Sequence, residues 1–333
     1  MKVLVTGGGG FLGRAILKQL STFYPNAERH TLQRSHHPDL ESKGIVQHLG
    51  SLSDIKTVDT AVSNAEIVFH VAAKAGIWGN YQDYYTTNVL GTEQILSACE
   101  KYGVKQLIYT STPSVVHAGG DLEGVDESAP YATRFSTHYP ATKAIAEKMV
   151  LGANSDTLAT MALRPHLIWG PGDNHLVPRL IAQAKQGRLR FIGSGENLID
   201  GVYIENAASA HIAAVKHLKP KANCAGKAYF ITQGEPLPLK DLVNGIVEAA
   251  GLPKIEKTMS PKLAYAIGCF LEAIYKLFGI QNDPPMTRFV AEQFSTAHWY
   301  SIQAARDDLG YEPTISTTQG LKKLAESLGT IPP

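Results

Sequence analysis

Three short runs in this chain carry residue types and spacings that can do chemistry. Tyr139-Pro140-Ala141-Thr142-Lys143 sets a phenol and an ammonium four residues apart, a step that brings both to one face of a helix. A free phenol, with a pKa near ~10, exchanges protons poorly at neutral pH, and a neighbouring cation favours its ionised form. The pattern predicts Tyr139 as a proton donor to a carbonyl oxygen and Lys143 as the group that tunes it. Thr110-Ser111-Thr112-Pro113-Ser114 offers hydroxyls that can donate to the same oxygen. In the third run, Gly7-Gly8-Gly9-Gly10-Phe11-Leu12-Gly13 follows the apolar Val3-Leu4-Val5. Glycines so spaced let the chain leave a strand, turn tightly and open a helix whose N–H groups face a pyrophosphate. Gly7, Gly9, Gly10, Phe11, Leu12 and Gly13 are the expected dinucleotide contacts, with Lys143 also reaching the ribose beside Tyr139.

These residues need a frame. Short β-branched runs at 2–6, 45–49, 67–73, 106–112 and 160–169 read as strands, and helical spacing of apolar residues covers 11–20, 55–63, 83–102 and 139–154. Such alternation predicts an α/β fold, a doubly wound parallel Rossmann sheet covered on both faces. Residues 1–170 are expected to hold the dinucleotide and the Tyr/Lys pair. Residues 171–333 are expected to form mainly a smaller C-terminal substrate lobe, with segments returning to the sheet. At the end of the second strand an NAD site usually carries an acid for the ribose 2′-hydroxyl. This chain has Gln33-Arg34-Ser35 there, and a guanidinium suits a 2′-phosphate, so the expected cofactor is NADP, used as NADPH.

The whole chain sets bounds on function. With 44% hydrophobic and 18% charged residues among 333, it can bury a large core. Lys plus Arg number 31 against 30 Asp plus Glu, which leaves no field to draw in nucleic acid. Cys99, Cys224 and Cys269 are scattered; they suit a cytoplasmic protein, form no disulfide framework and offer no metal-ligand spacing. Leu263, Ile267, Phe270, Leu271, Ile274, Leu277 and Phe278 make an apolar helical stripe interrupted by Glu272 and Lys276 on another face. That excludes a transmembrane span. The stripe is read as a wall for a hydrophobic ketone or alcohol, with an ordinary core helix or a homodimer helix as the alternative; the expected localisation is cytoplasmic, with a membrane-peripheral place as the other option.

The glycine loop, the hydroxyl strand and the Tyr-x-x-x-Lys together resemble the extended short-chain dehydrogenases/reductases. By that resemblance the catalytic hydroxyl, counted back from Val115, is Thr112, with Ser111 as fallback. His70-Val71-Ala72-Ala73 is similar to the cofactor-side strand end, so Ala72 is implied as a cofactor contact. Leu52 is implied likewise, although its neighbour Ser51 stands where the family commonly has an adenine-contacting aspartate. Asn88 looks like the helix asparagine near the site, and Arg164-Pro165 like the start of the segment beside the nicotinamide. Sugar-nucleotide dehydratases of the family carry Asp-Glu after the catalytic Thr; Pro113-Ser114 stands here, which leaves plain alcohol/ketone interconversion.

Within the family, Lys74-Ala75-Gly76-Ile77-Trp78-Gly79 and Ala144-Ile145-Ala146-Glu147 look most like the bacterial 2-alkyl-3-oxoalkanoate reductases, with the sterol and 3β-hydroxysteroid dehydrogenases as the second resemblance. The first implies partner enzymes of olefin synthesis and a substrate carboxylate, for which Lys74 is a possible partner. A non-catalytic nucleotide sensor on the same fold is the alternative of another class. Complete Tyr139, Lys143 and Thr112 speak against it.

Overall fold

The computed structural model describes residues 1–330. Seven strands form one all-parallel sheet: β1 (Lys2–Thr6), β2 (Glu28–Gln33), β3 (Val46–Leu49), β4 (Ile67–His70), β5 (Gln106–Thr110), β6 (Ala159–Pro165) and β7 (Lys227–Ile231). Their order is β7-β6-β5-β4-β1-β2-β3. The strand order reverses at β1, from which the chain runs outward first to β2 and β3 and then to β4 on the other side, and the crevice between β1 and β4 is where ligands of doubly wound sheets sit. Both faces are covered, so the strands need no polar alternation. Val3 and Val5 pack with Ile16, Leu17 and Leu20 of helix Phe11–Phe23 and with Ala207 and Ala214 of helix Ile204–His217. Leu4 points the other way, into a layer with Val58, Ile95 and Val150 from helices Ile55–Val62, Gly91–Tyr102 and His138–Gly152.

A smaller lobe is built around a four-stranded sheet in the order Leu237–Pro238, Leu198–Ile199, His298–Tyr300, Leu122–Val125. Segments from either side of residue 170 serve both parts: Leu122–Val125 lies in the small sheet, while Lys227–Ile231 closes the large one.

Two local differences from the sequence reading have clear causes. The run 160–169 is two strands, because Pro165 lacks the N–H a ladder needs and Leu167 turns the chain with φ 44°. Ile168–Trp169 then pairs with Val202–Tyr203. The run 83–102 is interrupted by a π-helical turn over Thr86–Leu90, which carries Asn88.

Candidate active site

The glycine loop is shaped by what glycine leaves out. Gly7 has φ +72°, and a Cβ there would lie 3.0 Å from the Ala72 Cα. One at Gly13 would lie 2.2 Å from the Gly7 carbonyl oxygen, so the helix start is pressed against the turn. Gly10 opens helix Phe11–Phe23 without a side-chain cap, which leaves the first N–H groups of that helix for a ligand. The cradle fits a dinucleotide pyrophosphate. Thr31, which the sequence reading did not single out, supports it by accepting from the Gly8 N–H at 2.9 Å.

At the end of β2, Gln33 is buried and donates to Gln47 Oε1 at 2.7 Å, whereas Arg34 is exposed. Two further groups crowd this corner. Arg14 donates to the Gly9 carbonyl at 2.9 Å and its Nη2 lies 3.0 Å from His37 Nδ1, and the His37 ring sits over Gly9. Their signal in the sequence was only one of charge and spacing. Leu52 is buried against Gly91, and Ala72 donates its N–H to Thr6 Oγ1 at 3.0 Å.

His70 lies at the centre of an oriented chain. Thr6 Oγ1 accepts from the Val71 and Ala72 N–H groups, so its own proton goes to His70 Nδ1 at 2.9 Å. The remaining ring N–H, on Nε2, then donates to Thr92 Oγ1 at 3.0 Å, and Thr92 donates to the Asn88 carbonyl at 2.6 Å. Burial pushes the His70 imidazole down to about 3, which keeps it neutral. Asn88 uses its side chain to clamp the Lys74 backbone, accepting from N at 2.7 Å and donating to O at 3.0 Å, and to donate to Thr142 Oγ1 at 3.0 Å. Both residues hold the frame.

Helix His138–Gly152 carries Tyr139 and Lys143. Lys143 is 2% exposed; its Nζ donates to the Thr110 carbonyl at 2.6 Å and lies 4.0 Å from the Tyr109 ring centre. Burial pushes its amine down to about 7, opposed by the Glu147 carboxylate one turn along. Tyr139 is pushed up to about 12 by burial, with the Thr112 hydroxyl pulling it the other way. Thr112 is buried and caps the turn Pro113–Val115, accepting from the Ser114 N–H at 3.3 Å. Ser111 is buried too, but its hydroxyl has no partner among the described residues. Tyr139, Lys143 and Thr112 therefore meet at the carboxyl end of β5.

Beneath Lys143 lies an ion pair not foreseen from the sequence. Arg164 Nη2 donates to Glu147 Oε1 at 2.6 Å and its Nε to Oε2 at 3.1 Å, while the Tyr131 hydroxyl donates to Oε1 at 2.7 Å. Both charges are buried, and the Arg164 guanidinium lies between the Tyr131 and Phe230 rings. A Glu four residues beyond Lys143 was a visible hint.

A cavity of about 310 Å³ opens beside the first turn of this helix, walled by Ser136, Thr137 and His138, by Ile77–Asn80 in the loop after β4, and by Glu272, Tyr275 and Lys276. Lys74 is not free to meet an anion there, since its Nζ is 2.9 Å from Asp83 Oδ2. Lys276 lines the cavity itself. The helix Pro261–Leu277 turns its polar side to this cavity and its apolar stripe away from it. Leu263, Phe270, Leu277 and Phe278 are exposed rather than walling a pocket.

Comparison with known proteins places this arrangement. Residues 4–262 match the 3-beta hydroxysteroid dehydrogenase/isomerase family. The chain is 50% identical to a 2-alkyl-3-oxoalkanoate reductase of Stenotrophomonas maltophilia, covering 98% of this chain and 99% of that protein. It is 44% identical to a protein of the same name from Shewanella oneidensis, over 97% and 85%. The mouse sterol-4-alpha-carboxylate 3-dehydrogenase, decarboxylating, is 32% identical over 98% and 90%. Among solved structures, a UDP-glucuronic acid 4-epimerase from Bacillus cereus in complex with NAD shares the fold, with a TM-score of 0.75 at 21% identity over 99% of both chains. The chain belongs to the 3-beta hydroxysteroid dehydrogenase/isomerase family, within the extended short-chain dehydrogenases/reductases, and is an NAD(P)-dependent oxidoreductase.

Proposed function

We propose that this enzyme reduces the 3-oxo group of a 2-alkyl-3-oxoalkanoic acid to the 3-hydroxy group with NADPH, as a step of long-chain olefin synthesis. The observation that carries this reading is the 50% identity to a reductase of that name over nearly the entire length of both proteins. The cavity adds chemical support. Its wall includes the cation of Lys276 beside the turn that bears Tyr139, where a 3-oxo acid would present its carboxylate.

When bound, NADPH supplies the hydride that reaches C3. Gly7, Gly9, Gly10, Phe11, Leu12 and Gly13 would hold its pyrophosphate, with Ala72 and Leu52 along the rest of the crevice. Arg34 would take the 2′-phosphate. Thr112 donates to the ketone oxygen and polarises the carbonyl. Tyr139 delivers its proton to that oxygen as negative charge develops there. Lys143 stabilises the resulting phenolate and would hold the ribose hydroxyls. Its Glu147 neighbour is already paired with Arg164. The product, a 3-hydroxy acid, needs a partner enzyme that activates and decarboxylates it.

The 32% identity to sterol dehydrogenases carries a second reading, oxidation of a 3β-hydroxyl on a sterol. One assay separates the two: NADPH consumption with a 2-alkyl-3-oxo acid and with a 3-oxosteroid, side by side. The proposal expects turnover of the acid to exceed that of the steroid. Turnover of the steroid alone overturns it.

A further inference from the structure

A second cavity, of about 470 Å³, shares no lining residue with the one beside the Tyr139 helix. It runs along helix Phe11–Phe23 as far as Ser21 and leads away from the carboxyl end of the large sheet. Arg29 in its wall stands near the amino end of β2, whereas Arg34 follows the carboxyl end. Leu17, Leu40, Ile45 and Ile204 line it and belong to the main core. The first helix, the segment between β2 and β3 and the start of helix Ile204–His217 therefore converge here without closing on one another. Protein interiors leave few voids larger than a water molecule. A space of this size falls instead in the range of ligand pockets, roughly 300 to 1,000 Å³.

Polar groups in the same wall are left unmet. Arg14, Lys18, Arg29 and Lys43 line the cavity against the single carboxylate of Glu205, which is itself taken by Lys323 at 3.2 Å. Arg14 pairs with Asp39, and Lys43 lies 3.9 Å from that same carboxylate. The Lys18 amine has no hydrogen bond or ion pair among the described residues, and Arg29 has no carboxylate partner, its Nη2 donating to the Lys43 carbonyl at 3.2 Å. The net charge of the chain is only +1, so this excess of cations is local. Tyr203 also lines the cavity. Its ring packs against Trp169 and is fully buried, and its hydroxyl has no partner among the described residues. A buried hydroxyl normally finds one. Burial pushes this phenol up, so its proton stays available to donate.

We propose that this cavity is a second ligand site, which takes an amphiphilic anion: a long-chain carboxylate with its alkyl chain along Leu17, Leu40, Ile45 and Ile204 and its head answering Lys18 and Arg29. Tyr203 adds an unpaired donor to the wall. A compact anion such as inorganic phosphate would leave the apolar walls without a partner, and a neutral lipid would leave the cations without one. The site rests on its own residues and not on the substrate proposed above.

The test is titration calorimetry of the full-length chain, saturated with NADPH, against decanoate, decanol, hexanoate and inorganic phosphate. Decanoate should bind at least about tenfold more tightly than decanol, through its charge, and at least about tenfold more tightly than hexanoate, through its buried methylenes. Inorganic phosphate should give no binding heat. Lys18→Gln with Arg29→Gln should weaken decanoate by at least about tenfold while thermal melting and NADPH affinity stay unchanged. Tyr203→Phe, which removes only the hydroxyl, should weaken it by at least about threefold. Lys276→Gln, in the cavity beside the Tyr139 helix, should leave decanoate binding as it was. Decanoate that fails to bind, or that binds no better than decanol or phosphate, overturns the proposal. So does binding that survives the Lys18 and Arg29 substitutions but is lost with Lys276→Gln, which would put the anion in the other cavity.

Discussion

Helix Phe11–Phe23 follows the glycine loop, helix Pro261–Leu277 lines the cavity, and both are amphipathic. The first buries Leu12, Ile16, Leu17 and Leu20 between the large sheet and helix Ile204–His217. Its uncapped end leaves backbone N–H groups open to a ligand. The second keeps Ala264, Gly268 and Glu272 against the protein, with Glu272 paired to Arg288, shows its aromatic and aliphatic residues to solvent, and meets the cavity with side chains. An amphipathic pattern therefore defines a face without saying which neighbour owns it. Where a core already surrounds the helix, the apolar side is claimed by the fold. Where fastening is done by small residues and an ion pair, that side stays available for a different partner.

The largest expected effect tests whether the two ends of the molecule fail together. His70 and His211 sit at the large sheet, His166 and His298 at the smaller lobe, and burial pushes all four down to about 3 or 4 from the usual 6.5. The folded protein keeps them neutral while the unfolded chain takes up protons. Their contribution to stability is complete above pH 6.5 and is lost as pH falls toward 4. Asp200, pushed up to about 6 by burial, acts in the opposite sense and offsets about one proton. These four histidines less Asp200 amount to roughly three protons, which by themselves give a slope on the order of 4 kcal/mol per pH unit. Denaturant midpoints measured from pH 7 to 4.5 should fall steeply and in one transition. Two transitions would mean that the lobes lose stability independently.

Chemistry should be concentrated on the helix His138–Gly152. Tyr139→Phe should lower kcat by roughly 10² to 10⁴ with NADPH binding retained, as read by stopped-flow hydride transfer and by nucleotide fluorescence. A turnover near that of the parent would remove Tyr139 from the proton path.

Stability should divide the helices directly. Leu17→Ala, at a position 1% exposed, should cost about 2 to 5 kcal/mol. Phe270→Ala, at 65%, should stay within about 0.5 kcal/mol. Equal losses in urea unfolding would erase the distinction between an owned and an available face.

The smallest effect concerns the cofactor end alone. Arg34→Ala should remove on the order of 1.5 to 3 kcal/mol of preference for NADPH over NADH, through lost charged hydrogen bonds. The ratio of kcat/KM for the two nucleotides reads it. An unchanged ratio would move the 2′-phosphate to other groups at that corner, His37 first.

The large sheet was readable because each of its signals is local. A glycine that cannot carry a Cβ announces itself at Gly7 and Gly13, and strands covered on both faces are uniformly apolar, as in Val3-Leu4-Val5. Tyr139 and Lys143 share a helix, so their spacing alone predicts a common face. What escaped depends on contacts between distant segments. Arg164 finds Glu147 across 17 residues, His37 reaches back to Gly9, and Lys74 is taken by Asp83. The helix at 261–277 gave a correct periodicity and the wrong neighbour, because its fastening at Arg288 comes from another helix.

The π-helical turn at Thr86–Leu90 acts as a phase defect. One wide turn takes an extra residue, so the segments on either side of it are rotated out of step. Tyr81 and Tyr84 ahead of it face His138 in the Tyr139 helix, while Gly91 behind it receives the Leu52 side chain. Deleting a single residue here would restore an ideal helix and misalign one of those two sets of contacts. The irregular turn is what allows one continuous rod to keep register with two different neighbours.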